Sequence, residues 1–262
     1  MASLQLLSSA RYVPVRYLLY AIIHGDRAEP REKIRFPDYP RASIMVRTDG
    51  LGAVASTLSA IDDAPDITRL LCYSKIIESF DRERAVVPMR YGCRFKELSD
   101  IAEFLQRERN RFRALLDEFD GHAEMSARVF LGETPADPSA NWSVAYARLG
   151  SGPSRPGIQY LTARRQHYAC ADQAEQSREE LRVRVCAMAE GKYSRSIAEF
   201  SHREGKSVLQ VHFLVPRGGL SAFRRALVPL GAESHGSVEV TGPWAPYNFV
   251  CPRTQALTPK VL

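Results

Sequence analysis

The stretch SVLQVHFLVPRGGLSAFRRALVPLG, Ser207 to Gly231, carries two different periods back to back. Leu209, Val211, Phe213 and Val215 alternate with Gln210, His212 and Leu214. That two-residue period is a strand with one face on a core. After Pro216 and two glycines the period changes. Leu220, Phe223, Leu227 and Leu230 recur every three or four residues, the stripe of an amphipathic helix.

Working outward, YSRSIAEFSH (193–202) reads as a strand before this one, with Glu204-Gly205-Lys206 between them. A mainly helical segment runs from about Ile158 to Glu190 and carries Tyr160, Leu161, Leu181, Val185 and Met188. AEMSARVFLG (123–132) is a strand ahead of it, and GSVEVTG (236–242) is a last strand. The order is β-α-β-β-α-β. It predicts a ferredoxin-like sandwich, one antiparallel sheet with helices on one face. A Pro/Gly/Ser-rich stretch over 133–157 is expected to be a long mobile loop within it.

The first half gives a second α+β unit. RYLLYAIIHG (16–25) is a short apolar run ending in glycine, a buried strand. ASIMVRTDGLGAVAST (42–57) is a hairpin about Asp49-Gly50, two residues that tolerate positive φ. Pro65 and Asp66 open a helix whose buried stripe is expected at Ile67, Leu70, Leu71, Ser74, Ile77 and Phe80. AVVPMRYGCRF (85–95) is a strand entering a turn. From Glu97 one long helix is expected to bury Leu98, Ile101, Leu105, Phe112, Leu115 and Phe119. The stop at Asp120-Gly121-His122 is the expected domain edge. The fold class is therefore α+β in two domains, 1–122 and 123–262.

Composition narrows the function. The 262 residues are 45% hydrophobic and 25% charged, values of a folded globular chain. No apolar run approaches the ~20 residues of a membrane span. The start lacks the basic end and apolar centre of a signal peptide, so a cytoplasmic protein is expected. Five scattered cysteines do not form a disulfide framework or a Cys-x-x-Cys metal motif. The net charge of +6 comes mostly from the second half, without the dense basic and aromatic pattern of a nucleic-acid site.

No catalytic motif is present. The chain has no Walker loop, no Gly-x-Gly-x-x-Gly after a strand and no Gly-x-Ser-x-Gly elbow. His167 and Cys170 stand at helical spacing, a pairing that arises easily by chance. His212 falls on a sheet face, and Glu78 and Asp81 are ordinary helix charges. The expectation is a protein without enzymatic activity, cofactor or metal.

Two segments stand out. In VVPMRYGCRF (86–95), Pro88 cannot donate a ladder hydrogen bond and so suggests a sheet edge or strand end. Alternation puts Val87, Met89 and Tyr91 on one face and Pro88 and Arg90 on the other, with Arg90 among apolar neighbours that make a lone charge costly. In TGPWAPYNFV (241–250), Gly242-Pro243 is expected to break the last strand, and two prolines hold the chain extended around Trp244. Trp, Tyr and Phe close cores and also anchor interfaces.

Taken together, these segments resemble the gas vesicle protein F/L (GvpF/GvpL) family. The strand YLLYAII, then Pro88, Met89, Arg90, Tyr91 and Gly92, then Gly157-Ile-Gln-Tyr-Leu161 follow the family's order. So does the closing Gly242, Pro243, Trp244, Ala245, Pro246, Tyr247, Asn248 and Phe249. Tyr91 stands where the family usually has Phe, Cys93 where Thr is usual, Ala245 for Pro and Asn248 for Ser. The resemblance spans about Tyr17 to Val250. It implies two α+β domains, the second a modified ferredoxin-like fold, and a non-enzymatic accessory or minor structural role in gas vesicles. It also implies partners: the small shell protein GvpA and other accessory proteins, with no nucleic acid. The residues assigned to partner binding or to a structural motif are Pro88, Arg90, Tyr91, Gly92, Gly242, Pro243, Trp244, Pro246, Tyr247 and Phe249. Two rival readings follow from a ferredoxin-like sandwich. One is a small-molecule protein with a pocket under the sheet; the other is an RNA-binding module on the basic half.

Overall fold

The computed structural model describes residues 16–26, 43–58, 67–133, 156–203, 206–233 and 238–250. The chain divides into two compact units. One holds the described residues up to Gly121 together with those from Ala245 onward; the other runs from His122 to Trp244. The segment after Trp244, expected with the second domain, thus groups with the first unit.

In the first unit, β1 (Arg16–His24) is central, and Leu18 to Ile23 are all buried. Successive side chains of a strand point to opposite faces, so both faces of β1 are covered. β2 (Ser43–Thr48) and β3 (Leu51–Leu58) form the expected hairpin, with Thr48 opposite Leu51. Asp49 and Gly50 have φ of 49° and 74°, the two positive values that a type I′ turn requires. β4 (Val87–Pro88) and β5 (Arg94–Phe95) both pair with β1. The sheet order is β2-β3-β1-β4 and every pairing is antiparallel.

The helix α1 (Ile67–Asp81) packs Tyr73, Ile76, Ile77 and Phe80 against Leu18, Tyr20, Ile23, Val54 and Val86, and Cys72 is also buried. The expected stripe was rotated. Ile77 and Phe80 are buried as anticipated, but Ile67, Leu70 and Leu71 are exposed, Ile67 at 73%. The inward side carries Cys72, Tyr73 and Ile76 instead, with the Tyr73 hydroxyl donating to the Leu19 carbonyl of β1. A count of apolar residues alone misses that polar anchor.

The single helix expected from Glu97 is two helices. α2 (Leu98–Arg107) and α3 (Arg109–Phe119) are separated at Glu108, whose φ and ψ are −97° and 10°. The break shifts the inward set of α3 to Phe112, Leu116 and Phe119, so Leu116 takes the buried place expected of Leu115. Phe95, Phe104 and Phe112 stack in sequence, with centroids 5.5 and 5.4 Å apart, tying β5, α2 and α3 together.

The second unit has the anticipated element order: β6 (His122–Glu133), α4 (Pro156–Met188), β7 (Arg195–Arg203), β8 (Lys206–Pro216), α5 (Leu220–Glu233) and β9 (Val238–Trp244). The strand order β7-β8-β6-β9 is antiparallel throughout. Its inner face carries Met125, Ala127 and Val129 from β6 and Leu209, Val211, Phe213 and Val215 from β8. Val185 of α4 and Phe223, Leu227 and Leu230 of α5 pack on them. Burying side chains of this size stabilises by ~1.5–3 kcal/mol each. The loop expected over 133–157 lies almost wholly outside the described residues.

Candidate functional site

The Pro88 block is built on β1. Pro88 lies opposite Ala21 in the last position of a two-residue strand at the sheet's edge, where a missing N–H is tolerated. The Met89 amide then donates to the Tyr20 carbonyl at 2.8 Å. Arg90 to Cys93 form a turn closed by the Cys93 amide on the Arg90 carbonyl at 3.2 Å. Gly92 has a φ of 91° there, a conformation that favours glycine. After the turn, the Leu19 amide donates to the Cys93 carbonyl at 2.9 Å. The strand thus ends early, and the expected alternation does not continue to Tyr91. Arg90 is exposed rather than held among apolar side chains, so its charge stays in water.

Tyr73 organises this block. Its hydroxyl lies 2.8 Å from the Leu19 carbonyl oxygen, 3.0 Å from that of Met89 and 3.2 Å from that of Arg90. Its ring sits 4.8 Å from Tyr20 and 5.2 Å from Tyr91, the latter edge-on at 85°. The Tyr20 hydroxyl in turn bonds Ser56 Oγ at 3.0 Å. Burial raises the Tyr73 pKa well above the ordinary phenol value, with Cys93 adding to the effect. Burial also pushes the Cys93 thiol up to about 11. Both groups are therefore neutral at physiological pH, and Cys93 lacks the thiolate that a nucleophile needs.

The closing block divides between the two units. Gly242, Pro243 and Trp244 remain in β9, which continues past the expected break through a register shift, with Trp244 opposite Glu124. Gly242 has a φ of 114°, and its peptide to Pro243 is cis. A Cβ at Gly242 would meet the Glu124 carbonyl oxygen at 2.7 Å and Met125 Sδ at 2.8 Å. Arg224 Nη2 donates to the Gly242 carbonyl at 2.5 Å. Trp244 itself is 43% exposed.

From Ala245 the chain enters the core of the first unit. Ala245 and Phe249 are each 1% exposed, and Pro246 is buried. Tyr247 is half-buried against the same cluster that holds Tyr73 and, at its border, Tyr91. A short 3-10 turn, Tyr247–Phe249, gives the segment its shape, and Arg111 Nη2 of α3 donates to the Val250 carbonyl at 2.7 Å. The Pro88 block and the end of the closing block therefore meet on one aromatic cluster around Tyr73. Sequence reasoning did not single out Tyr73. Its signal was present in the spacing Tyr73, Ile76, Ile77, Phe80.

One buried polar group occupies the sheet face opposite the helices of the second unit. His212 Nδ1 lies 3.0 Å from Glu124 Oε1 and 2.8 Å from Ser126 Oγ, and all three residues are buried. The types match those of a hydrolase triad, but the geometry does not. A triad uses one ring nitrogen for the serine and the other for the acid. Here both contacts fall on Nδ1, so the imidazole cannot pass a proton between them. The arrangement holds β6 and β8 together. Glu124 and Ser126 carry no motif that would have marked them, because strand pairing is what brings them to His212.

Among the described residues no group of three or more His, Cys, Asp or Glu is placed to hold a metal ion, and no helix is long and apolar enough to cross a membrane. The side chains of His167 and Cys170 lie outside the described set.

The family described as "Gas vesicle synthesis protein GvpL/GvpF" matches residues 16–251. The chain is 26% identical over 229 residues to gas vesicle protein L of Streptomyces sp. (strain CB03234), covering 86% of this chain and 80% of that one. It is 24% identical over 204 residues to gas vesicle protein F2 of Halobacterium salinarum, covering 76% of each. In structure it is similar to GvpF from Microcystis aeruginosa, with a TM-score of 0.70 and 14% identity over 90% of this chain and 99% of that one. It is also similar to GvpF from Anabaena sp. PCC7120, with a TM-score of 0.66 and 16% identity over 90% and 98%. The shared fold, and the sequence match across both units, make this chain a member of the GvpF/GvpL family of gas vesicle assembly proteins.

Proposed function

We propose that the protein acts without catalysis in the cytoplasm, holding or delivering the small shell protein GvpA and contacting other accessory proteins during vesicle assembly. The observation that carries this reading is the match to a gas vesicle synthesis family over residues 16–251. The wall of a gas-filled particle needs subunits with one very apolar side. Before assembly such subunits aggregate through exposed apolar surface and strand edges. A protein that covers those features keeps them usable.

The proposed contact surface lies on the second unit and centres on the exposed Trp244; Arg90, exposed in the first unit, is a separate candidate contact. Trp244 ends β9, an edge strand that pairs with β6 among the described residues. An extended segment of the shell subunit adds to this edge along Val238 to Thr241, and the indole covers adjacent apolar side chains. Each within its own unit, the remaining motif residues fix the backbone or fill the core: Gly242 and Pro243 beside Trp244, and Pro88, Tyr91, Gly92, Pro246, Tyr247 and Phe249 in the first unit.

Co-expression with tagged GvpA tests the reading. The expected result is co-purification of the two proteins, weakened by Trp244→Ala. No association, together with normal vesicles after deletion of the gene, overturns it.

A further inference from the structure

We draw no further inference here: the strongest candidate, the exposed apolar stripe of Ile67, Leu70 and Leu71 on the first turns of α1, carries nothing because nothing in the structure shows what covers it.

Discussion

The Tyr73 hydroxyl of α1 lies 2.8 Å from the carbonyl oxygen of Leu19 in β1, and the carbonyls of Met89 and Arg90 approach the same oxygen. A phenol has one proton, so it donates to one of these carbonyls at a time. Tyr73→Phe keeps the ring stacks and removes the donor. The expected cost is about 1–3 kcal/mol, the range for leaving a buried polar group unsatisfied. Urea unfolding of the two proteins measures it. An unchanged midpoint would mean that water replaces the hydroxyl.

The same burial has a pH consequence. Cys93 is raised from 9.0 to about 11, and Tyr73 is also raised. In the unfolded chain each loses its proton at the ordinary, lower pH, while the folded state still holds it. The unfolded state then binds fewer protons, so stability falls as pH rises. The contribution from Cys93 is complete below pH about 9 and is lost on approaching pH about 11. Thermal unfolding across this window is expected to show falling stability, with a shallower fall in Cys93→Ala. In a variant whose other four cysteines are serine, Cys93 should alkylate slowly at pH 8.

Gly242→Ala is expected to damage the second unit. Its φ of 114° is unfavourable for any other residue, and the new Cβ would sit 2.7 Å from a backbone oxygen of β6. Backbone strain of this kind costs about 1–3 kcal/mol before the clash is counted. A depressed melting temperature and faster amide exchange in β9 are the expected readouts. Wild-type values for both would be inconsistent with this geometry.

Glu124 and His212 are expected to be energetically coupled. Removing one partner of a buried hydrogen-bonded pair costs about 1–3 kcal/mol. Glu124→Ala and His212→Ala should each be destabilising, and the double variant should cost less than their sum. Additive effects in this double-mutant cycle would show that the 3.0 Å contact contributes nothing.

Within the closing block, Phe249 and Trp244 should separate stability from partner contact. Phe249 is buried, so Phe249→Ala is expected to destabilise by about 3–5 kcal/mol. Trp244 is 43% exposed, so Trp244→Ala should cost much less while weakening GvpA capture. Chemical denaturation and pull-down on the same two variants check both halves.

Much of the architecture follows from local pattern. Alternation over Leu209 to Val215, the stripe from Leu220 to Leu230 and the Asp49-Gly50 turn specify elements whose type depends on near neighbours in the chain. The order of those elements leaves few sheet topologies open, and the family blocks at Pro88 and Gly242 are legible as strings. Tertiary structure decided what local pattern leaves undetermined. It rotated α1 so that Cys72, Tyr73 and Ile76 take the inward face in place of Leu70 and Leu71, and there the Tyr73 hydroxyl bonds a β1 carbonyl 54 residues away in sequence. It left Arg90 in water by ending β4 after Pro88. It brought Glu124 and Ser126 to His212 across 88 and 86 residues of chain, through strand register alone. It also placed Trp244 and Ala245, adjacent in sequence, in different compact units, one exposed and the other buried. Burial depends on which surfaces the folded chain brings together, and for residues far apart in sequence that information exists only in three dimensions.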